Sequence, residues 1–437
     1  VPTARAALLA ALCAPVVGVL SALYGVAPWA LSGVLLALVA AAVLADWALA
    51  ADPRRITVRR ETPGAVVRLG EDVAAALTVA NRSGVDARLL VRDAWVPSAG
   101  AAPYAHPLVL AAGEAATLTT TLTPTRRGDR AAEQVVVRSH GPLGLAVRQA
   151  AHRPPWTLRV LPRFTSRKHL PEKLARLRTV EGATAIRGRG QGTEFDVLRE
   201  YVPGDDVRSI DWRATARRRD VMVRTWRPER SRRIVCVLDT GRTSAVRVGD
   251  EPRLDAAMDA ALLLAAVAQE AGDQVDLIAA DHRVRAVVAG SHGRATLPRL
   301  INAVAPLHPA MVETDFELIT SEVLRRERKR SLVVVFTALE PGALGEGLLP
   351  VLPRLAARHK VLIAAVHDPA LNALATTPLH GANEVYAAAA GTRALADREK
   401  LSTALAKYGV EVLDFPADTF AGQVTDVYLA LKATGRL

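Results

Sequence analysis

The turn Asp239-Thr240-Gly241-Arg242-Thr243-Ser244 sets a carboxylate beside hydroxyls. These are the oxygen ligands that a hard, magnesium-sized cation takes. The turn follows Ile234–Leu238, a short β-branched and apolar run of the kind a buried parallel strand presents. Such a strand delivers its last carboxylate to the C-terminal edge of the sheet, where open α/β sheets bind ligands. The plainer use of Asp239 is a capping turn, with the carboxylate bonded to backbone amides.

A second concentration of chemistry-bearing residues spans Thr193–Arg219. Asp205, Asp206 and Asp211 alternate there with Arg199, Arg208, Arg213 and Arg217, and Tyr201 and Trp212 are set among them. Desolvated charges must be paired, so burial of this segment predicts an ion-pair network. Three uses are open: a packed collar held against the first strand and the sheet edge, a platform for a partner or ligand, and a carboxylate-dyad hydrolase. The enzymatic reading takes a sharper form as Asp205, Asp206 and Asp239 around one divalent cation. It requires the three carboxylates to converge in a shared cleft.

The arginines from Arg213 to Arg233, among them Arg217-Arg218-Arg219, Arg230 and Arg232, have the charge to meet phosphates. They lack aromatic interleaving and any helix-turn-helix or RNA-module signature, which argues against nucleic acid as the partner. Pairing with the signature acids, or facing anionic headgroups, suits them better. Gly188–Gly192 is glycine-rich without the lysine of a phosphate loop, the histidines have no ligand spacing, and no GxSxG elbow occurs.

The elements that must position these residues follow from the rest of the 437-residue chain, whose formal charge of +12 favours an acidic partner. Ala6–Tyr24 and Ala30–Leu49 are apolar spans of about the ~20 residues a bilayer core needs. Gly25–Pro28 makes the turn between them, and Trp29 and Trp47 sit where interfacial aromatics would. Arg5 before the pair and Arg54, Arg55, Arg59 and Arg60 after it place both termini in the cytoplasm by the positive-inside rule. A hairpin buried in a soluble core is the alternative. No small-residue site separates the spans as in a cleaved signal peptide. Cys13 and Cys236 both lie in apolar segments, without the setting of a disulfide or a reactive thiol.

Residues 1–55 thus read as a transmembrane helical hairpin and 56–162 as an antiparallel β-sandwich of short Val-, Leu- and Thr-rich strands. Residues 163–231 read as a basic linker carrying the signature. Residues 232–437 read as an α/β domain. Its predicted strands are Ile234–Leu238, Gln274–Ala280, Leu332–Thr337, Val361–Val366 and Val410–Phe415, with Arg283–Ala289 as an antiparallel edge. Its predicted helices are Arg253–Ala271, Thr296–Val304, Asp315–Arg328, Gly347–Arg358, Thr392–Tyr408 and Ala417–Lys432.

The block EFxxLRxYxPGDDxRxIDWxxxAR, running from Glu194 to Arg217 and followed by the strand and turn at Asp239, resembles the "domain of unknown function 58" family. Arg127-Gly128 and Gly141-Pro142-Leu143-Gly144-Leu145 also resemble its pattern, with Gly141 where an Asp is usual. The resemblance implies a membrane-anchored protein with a von Willebrand A-like, doubly wound, mostly parallel sheet. It implies no catalytic activity, and its implied partner is a MoxR-type AAA+ ATPase. It further implies a metal-ion-dependent adhesion site at Asp239 and Thr243, with a third hydroxyl from Thr314 on a separate loop. In related A domains a cation there completes its coordination with a partner's carboxylate. This chain has a reduced ligand set: Gly241 replaces the first serine, and Ala338 follows Thr337 where an Asp is common. A bound Mg2+ is therefore expected to be weak or absent. The expected partner-binding rim is Asp239, Arg242, Thr243 and Thr314, supported by a collar of Arg199, Tyr201, Asp205, Asp206, Arg208, Asp211, Trp212 and Arg217.

Overall fold

The structure is a computed structural model that describes residues 1–61, 64–187, 194–203, 205–217, 220–227, 232–290, 295–376 and 381–437. It divides into two compact units, Val1–Leu161 and Pro162–Leu437.

In the first unit, helices Ala4–Tyr24 and Pro28–Leu49 pack on each other, and both are long and apolar enough to cross a membrane. Only 11% and 17% of their most apolar windows is buried, so their apolar faces are not spent on a protein core. Leu12, Val19, Val34, Leu38 and Leu44 all point outward. Past the helices lie two sheets. One orders its strands Ile56–Arg60, Val73–Asn81, Ala115–Leu122 and Ala101–Ala102. The other orders Gly64–Arg68, Thr157–Leu161, Gly128–His140, Ala87–Trp95 and Ala105–Leu110, with Val147–His152 paired to Gly128–His140. Alternation puts every second side chain into shared apolar clusters: Leu77 and Val79 from the first sheet meet Leu89, Val91, Val135 and Val137 from the second. Within this core Arg60 pairs with Asp93 at 2.6 Å and stacks on Trp95.

The helices are tied to this unit by Asp46. Its fully buried carboxylate accepts backbone N–H bonds from Leu143, Leu145 and Ala146, each at 2.7 Å. A Cβ at Gly141 would lie 2.3 Å from that carboxylate, so only glycine permits the approach. The Asp46 carboxylate fills the space that any side chain at position 141 would need.

In the second unit a six-stranded sheet runs in the order Val284–Val288, Gln274–Ala280, Arg233–Asp239, Leu332–Phe336, Lys360–His367, Glu411–Pro416. All neighbours are parallel except the edge strand Val284–Val288, which is antiparallel. Alternate residues face opposite ways. Val235 and Val237 join a cluster with Phe316, Ile319 and Val323 of helix Phe316–Arg326. On the other face helices Arg253–Glu270 and Ala417–Ala433 cover the sheet, and Phe336 meets Phe420 edge-on at 6.1 Å.

Three expectations need correction. The segment read as a linker contains a helix, Leu170–Arg187, packed on Ala417–Ala433 and Arg253–Glu270. Leu170, Leu174 and Leu177 recur at helical spacing, Leu177 is buried, and Lys173 and Arg176 both bond Asp426. The helix expected over Gly347–Arg358 is a wide i→i+5 helix, Pro341–Leu348, followed by the short helix Leu352–Ala356. Three glycines and three prolines from 341 to 353 disfavour a regular α-helix there. The helix expected from Thr392 begins ten residues earlier and spans Ala382–Ala406, its alanine-rich first half having shown no apolar period.

Candidate functional site

Strand Arg233–Asp239 ends on Asp239 at the C-terminal edge of the sheet, between the ends of Gln274–Ala280 and Leu332–Phe336. The side chain is 1% exposed. Its Oδ1 accepts from the Gly241 amide at 2.8 Å and the Thr314 hydroxyl at 2.5 Å. Its Oδ2 accepts from Thr337 at 2.6 Å and Thr243 at 3.3 Å. The structure therefore brings Asp239, Thr243 and Thr314 together and adds Thr337, which the sequence reading passed over. The Ser244 hydroxyl bonds the Asp239 carbonyl at 2.6 Å and tightens the turn.

Burial pushes the Asp239 carboxyl above the usual carboxylate range, against the four donors, which pull it down. The adjacent Asp281 is also fully buried but is held below that range, because Arg285, Thr240 and the Arg283 amide outweigh its desolvation. Asp281 follows an apolar strand just as Asp239 does, a pattern by which it could have been found in the sequence. Cys236, inside the same strand, has its thiol pushed up to about 12 by burial, which leaves it unreactive.

The donor set does not fit a divalent cation as it stands. Each carboxylate oxygen already takes two hydrogen bonds, the three hydroxyls spend their protons on it, and no second carboxylate joins the shell. Gly241 explains this closure. A Cβ there would lie 2.1 Å from Thr314 Oγ1, so the missing side chain is what lets Thr314 dock directly on Asp239.

Above this hub lies an exposed rim. The loop before helix Phe316–Arg326 is pinned to the turn by backbone bonds Arg242 N to Val312 O, at 2.9 Å, and Ala310 N to Thr240 O, at 2.7 Å. Asp315 caps the helix through the Leu318 amide, which aims Thr314 inward. Arg242 pairs with Glu313 at 2.5 Å on the surface, and Met311 is 79% exposed. Of the expected rim, Arg242 reaches solvent and Thr314 is half-buried, whereas Asp239 and Thr243 lie beneath it.

The signature folds as a hairpin of Glu194–Glu200 and Met222–Arg227, with Ile210 bridged to Val223. Its charges are exposed or half-buried, so the condition on which a buried network was expected is not met. Arg199 grips Asp205 through two bonds of 2.7 and 2.5 Å, and with the Val202 amide holds its carboxyl below the usual range. Asp211 caps Trp212–Thr215, and the Ala214 amide and Arg224 lower it likewise. Asp206 caps the turn Val207–Ser209. Tyr201 is half-buried, and Trp212 is 70% exposed. Among the described residues Arg208, Arg213 and Arg217 have no ion-pair partner, and Asp211 pairs with Arg224. Gly188–Gly192, Gly204, Arg218, Arg219 and Arg230 lie outside the described residues.

The bonds of Asp205 and Asp206 all close within the hairpin. No three His, Cys, Asp or Glu side chains gather as a metal site among the described residues. The convergence of Asp205, Asp206 and Asp239 on one cation is therefore not formed.

Among curated proteins, the uncharacterized proteins Rv1480 of Mycobacterium tuberculosis and Mb1516 of Mycobacterium bovis are each 29% identical over 183 residues, 41% of this chain and 56% of theirs. The chain thus spans about half the length of the curated relatives it matches. Solved structures with some likeness include a protein of unknown function from Porphyromonas gingivalis W83, at 20% identity over 24% of this chain and 48% of that one, with a TM-score of 0.19. A non-cellulosomal cohesin from Archaeoglobus fulgidus matches at 13% over 26% of this chain and 97% of that one, with a TM-score of 0.18. Scores this low bear on neither fold nor function. The family model described as protein of unknown function DUF58 matches residues 197–407, from the signature hairpin to helix Ala382–Ala406.

Proposed function

We propose that the chain is a membrane-anchored adaptor, not an enzyme, whose second unit captures a protein partner on the rim above Asp239. The observation that carries this reading is the hub itself. A buried carboxylate saturated by four donors has no lone pair poised for chemistry, yet it rigidly supports a surface of Arg242, Glu313 and Met311. Rigid support with an exposed apolar and charged tip is what a contact site needs. The finer fold reading belongs to the same proposal: a von Willebrand A-like, doubly wound domain, preceded in the chain by a β-sandwich. The strand order with its antiparallel edge and the helices on both faces support it. The outward apolar faces of the two N-terminal helices support the anchor, with both termini cytoplasmic by their flanking arginines.

By the family resemblance the partner is a MoxR-type AAA+ ATPase, and the contact is independent of metal. The test is affinity capture from native membranes with the tagged full-length protein, with and without magnesium and ATP. Recovery of an AAA+ ATPase that survives chelation and is lost in Arg242→Glu and Met311→Asp supports the reading. Recovery unaffected by both changes removes the contact from the rim, and failure to recover any such ATPase overturns the partner.

A further inference from the structure

The turn from Gly141 to Ala146 in the first unit is fastened to both N-terminal helices. Asp46, three residues before the end of helix Pro28–Leu49, takes its Leu143, Leu145 and Ala146 amides. Just before helix Ala4–Tyr24, the Thr3 amide bonds the Leu145 carbonyl at 2.9 Å, and the Thr3 hydroxyl bonds the Gly144 carbonyl at 2.7 Å. At a rise of about 1.5 Å per residue, Asp46 lies about 5 Å inside its helix end. The turn is therefore level with the last turn of that helix rather than beyond it. A helix of 22 residues is about 33 Å long, against a hydrocarbon core of about 30 Å. With both helices across a bilayer, the turn stands where the headgroups of one leaflet meet its acyl chains.

Its backbone suits that depth. The remaining amides, of Gly141 and Gly144, bond the Ala146 and Gly141 carbonyls, each at 3.0 Å, and Pro142 has no N–H to satisfy. Every amide of the turn is thus paired without water, the condition under which backbone enters a water-poor zone. Leu143, at the centre of the turn, is 60% exposed, and Leu44, Trp47 and Leu49 around Asp46 on the helix are exposed as well. Lipid removes the cost of leaving such side chains in water.

Two cations border the same turn. Arg88 Nη1 bonds the Pro142 carbonyl at 3.3 Å, and a Cβ at Gly144 would lie 3.0 Å from Arg5 Nη1. Both arginines are exposed, and neither has an ion-pair partner among the described residues.

We propose that this turn is a third membrane contact beside the two helices. Leu143 enters the interface of the leaflet, and Arg5 and Arg88 hold the phosphates of anionic phospholipid. The occupant is lipid because the turn continues the exposed apolar ends of the helices and adds unpaired positive charge at their level. This contact rests on the anchor reading, that both helices span the bilayer.

The test is fluorescence quenching on the full-length protein in nanodiscs of phosphatidylcholine and phosphatidylglycerol. A Cys13→Ser background leaves Cys236, which is buried, with its thiol pushed up to about 12, and does not label. An environment-sensitive fluorophore is then attached through Leu143→Cys, through Leu44→Cys on the helix, or through Val66→Cys. Val66 is exposed and pairs with Arg159, which lies opposite Asp129 at the far end of strand Gly128–His140. The Leu143 and Leu44 sites should be quenched by lipid-borne nitroxides and shielded from aqueous iodide at least about fivefold relative to Val66. Nitroxide-labelled phosphatidylglycerol should quench the Leu143 site at least about twofold more than labelled phosphatidylcholine at equal mole fraction. That preference should vanish in Arg5→Gln/Arg88→Gln and persist in Arg5→Lys/Arg88→Lys. A Leu44 site open to iodide removes the anchor and the contact with it. A shielded Leu44 site with Leu143 open to iodide overturns the contact alone. Equal quenching by the two lipids, or a preference that survives the glutamine pair, overturns the headgroup binding.

Discussion

Asp46 and Asp239 are both buried carboxylates without a cationic partner among the described residues, but they are satisfied by different kinds of donor. Asp46 draws on three backbone amides of one turn. Asp239 draws on three hydroxyls and a single amide. An amide N–H can only donate, whereas a hydroxyl turns to donate or accept. The first arrangement is rigid in its chemistry and demands an anion. The second adapts to whatever replaces the carboxylate.

That difference is open to direct attack. Asp46→Asn is expected to be nearly as damaging as Asp46→Ala, at about 3 kcal/mol or more, because an amide NH2 turned toward amide N–H groups leaves buried donors unpaired. Hydrogen exchange of Leu143, Leu145 and Ala146 in the full-length protein in detergent reads this out. Asp239 should behave otherwise. Asp239→Ala strands buried hydroxyls and costs about 3 kcal/mol, while Asp239→Asn costs about 1 kcal/mol, as Thr337 and Thr243 rotate to accept. Denaturant melts of both variants test the gap, and equal losses would break the comparison.

Gly241→Ser comes next in size. Its Cβ must displace Thr314, at a cost of about 1–3 kcal/mol, visible in the same melts. Dependence on pH is a finer probe. Asp239 has its folded pKa raised, so the native state holds more protons than the unfolded chain above the ordinary carboxylate value. Stability therefore falls as pH rises from that value through the folded pKa. Asp239→Asn should remove that slope. Asp205 and Asp211 have the opposite sign: their contribution is present above the unfolded value and is lost as pH falls through their lowered folded values. Being on the surface, these pairs should give the smallest effect of all, fading with added salt in Arg199→Ala.

The sequence carried the strand–helix alternation and the carboxylate–hydroxyl pattern at Asp239 because both rest on local residue types. Thr314 was legible from the resemblance and the loop that precedes its helix. Thr337 was not, since it meets Asp239 only because strand Leu332–Phe336 lies beside Arg233–Asp239 in the folded sheet. Asp46 read as no more than the polar end of an apolar span, because its donors lie some hundred residues away in sequence. The exposure of the signature was not legible for a related reason. Alternating acids and arginines look the same whether buried or exposed, and Arg224 becomes the partner of Asp211 only once the hairpin register brings them together.

The place of strand Arg233–Asp239 inside its sheet has a consequence for how the chain is made. Its two neighbours, Gln274–Ala280 and Leu332–Phe336, arrive much later in the sequence, and the second of them is preceded by two intervening helices. During synthesis this strand can pair first with Gln274–Ala280, but its other edge stays open until Leu332–Phe336 leaves the ribosome. Contacts this distant slow folding and prolong exposure to aggregation. The nascent chain is therefore a natural client for a holdase until about residue 336, and ribosome-arrested chains ending before and after that point should differ sharply in protease resistance.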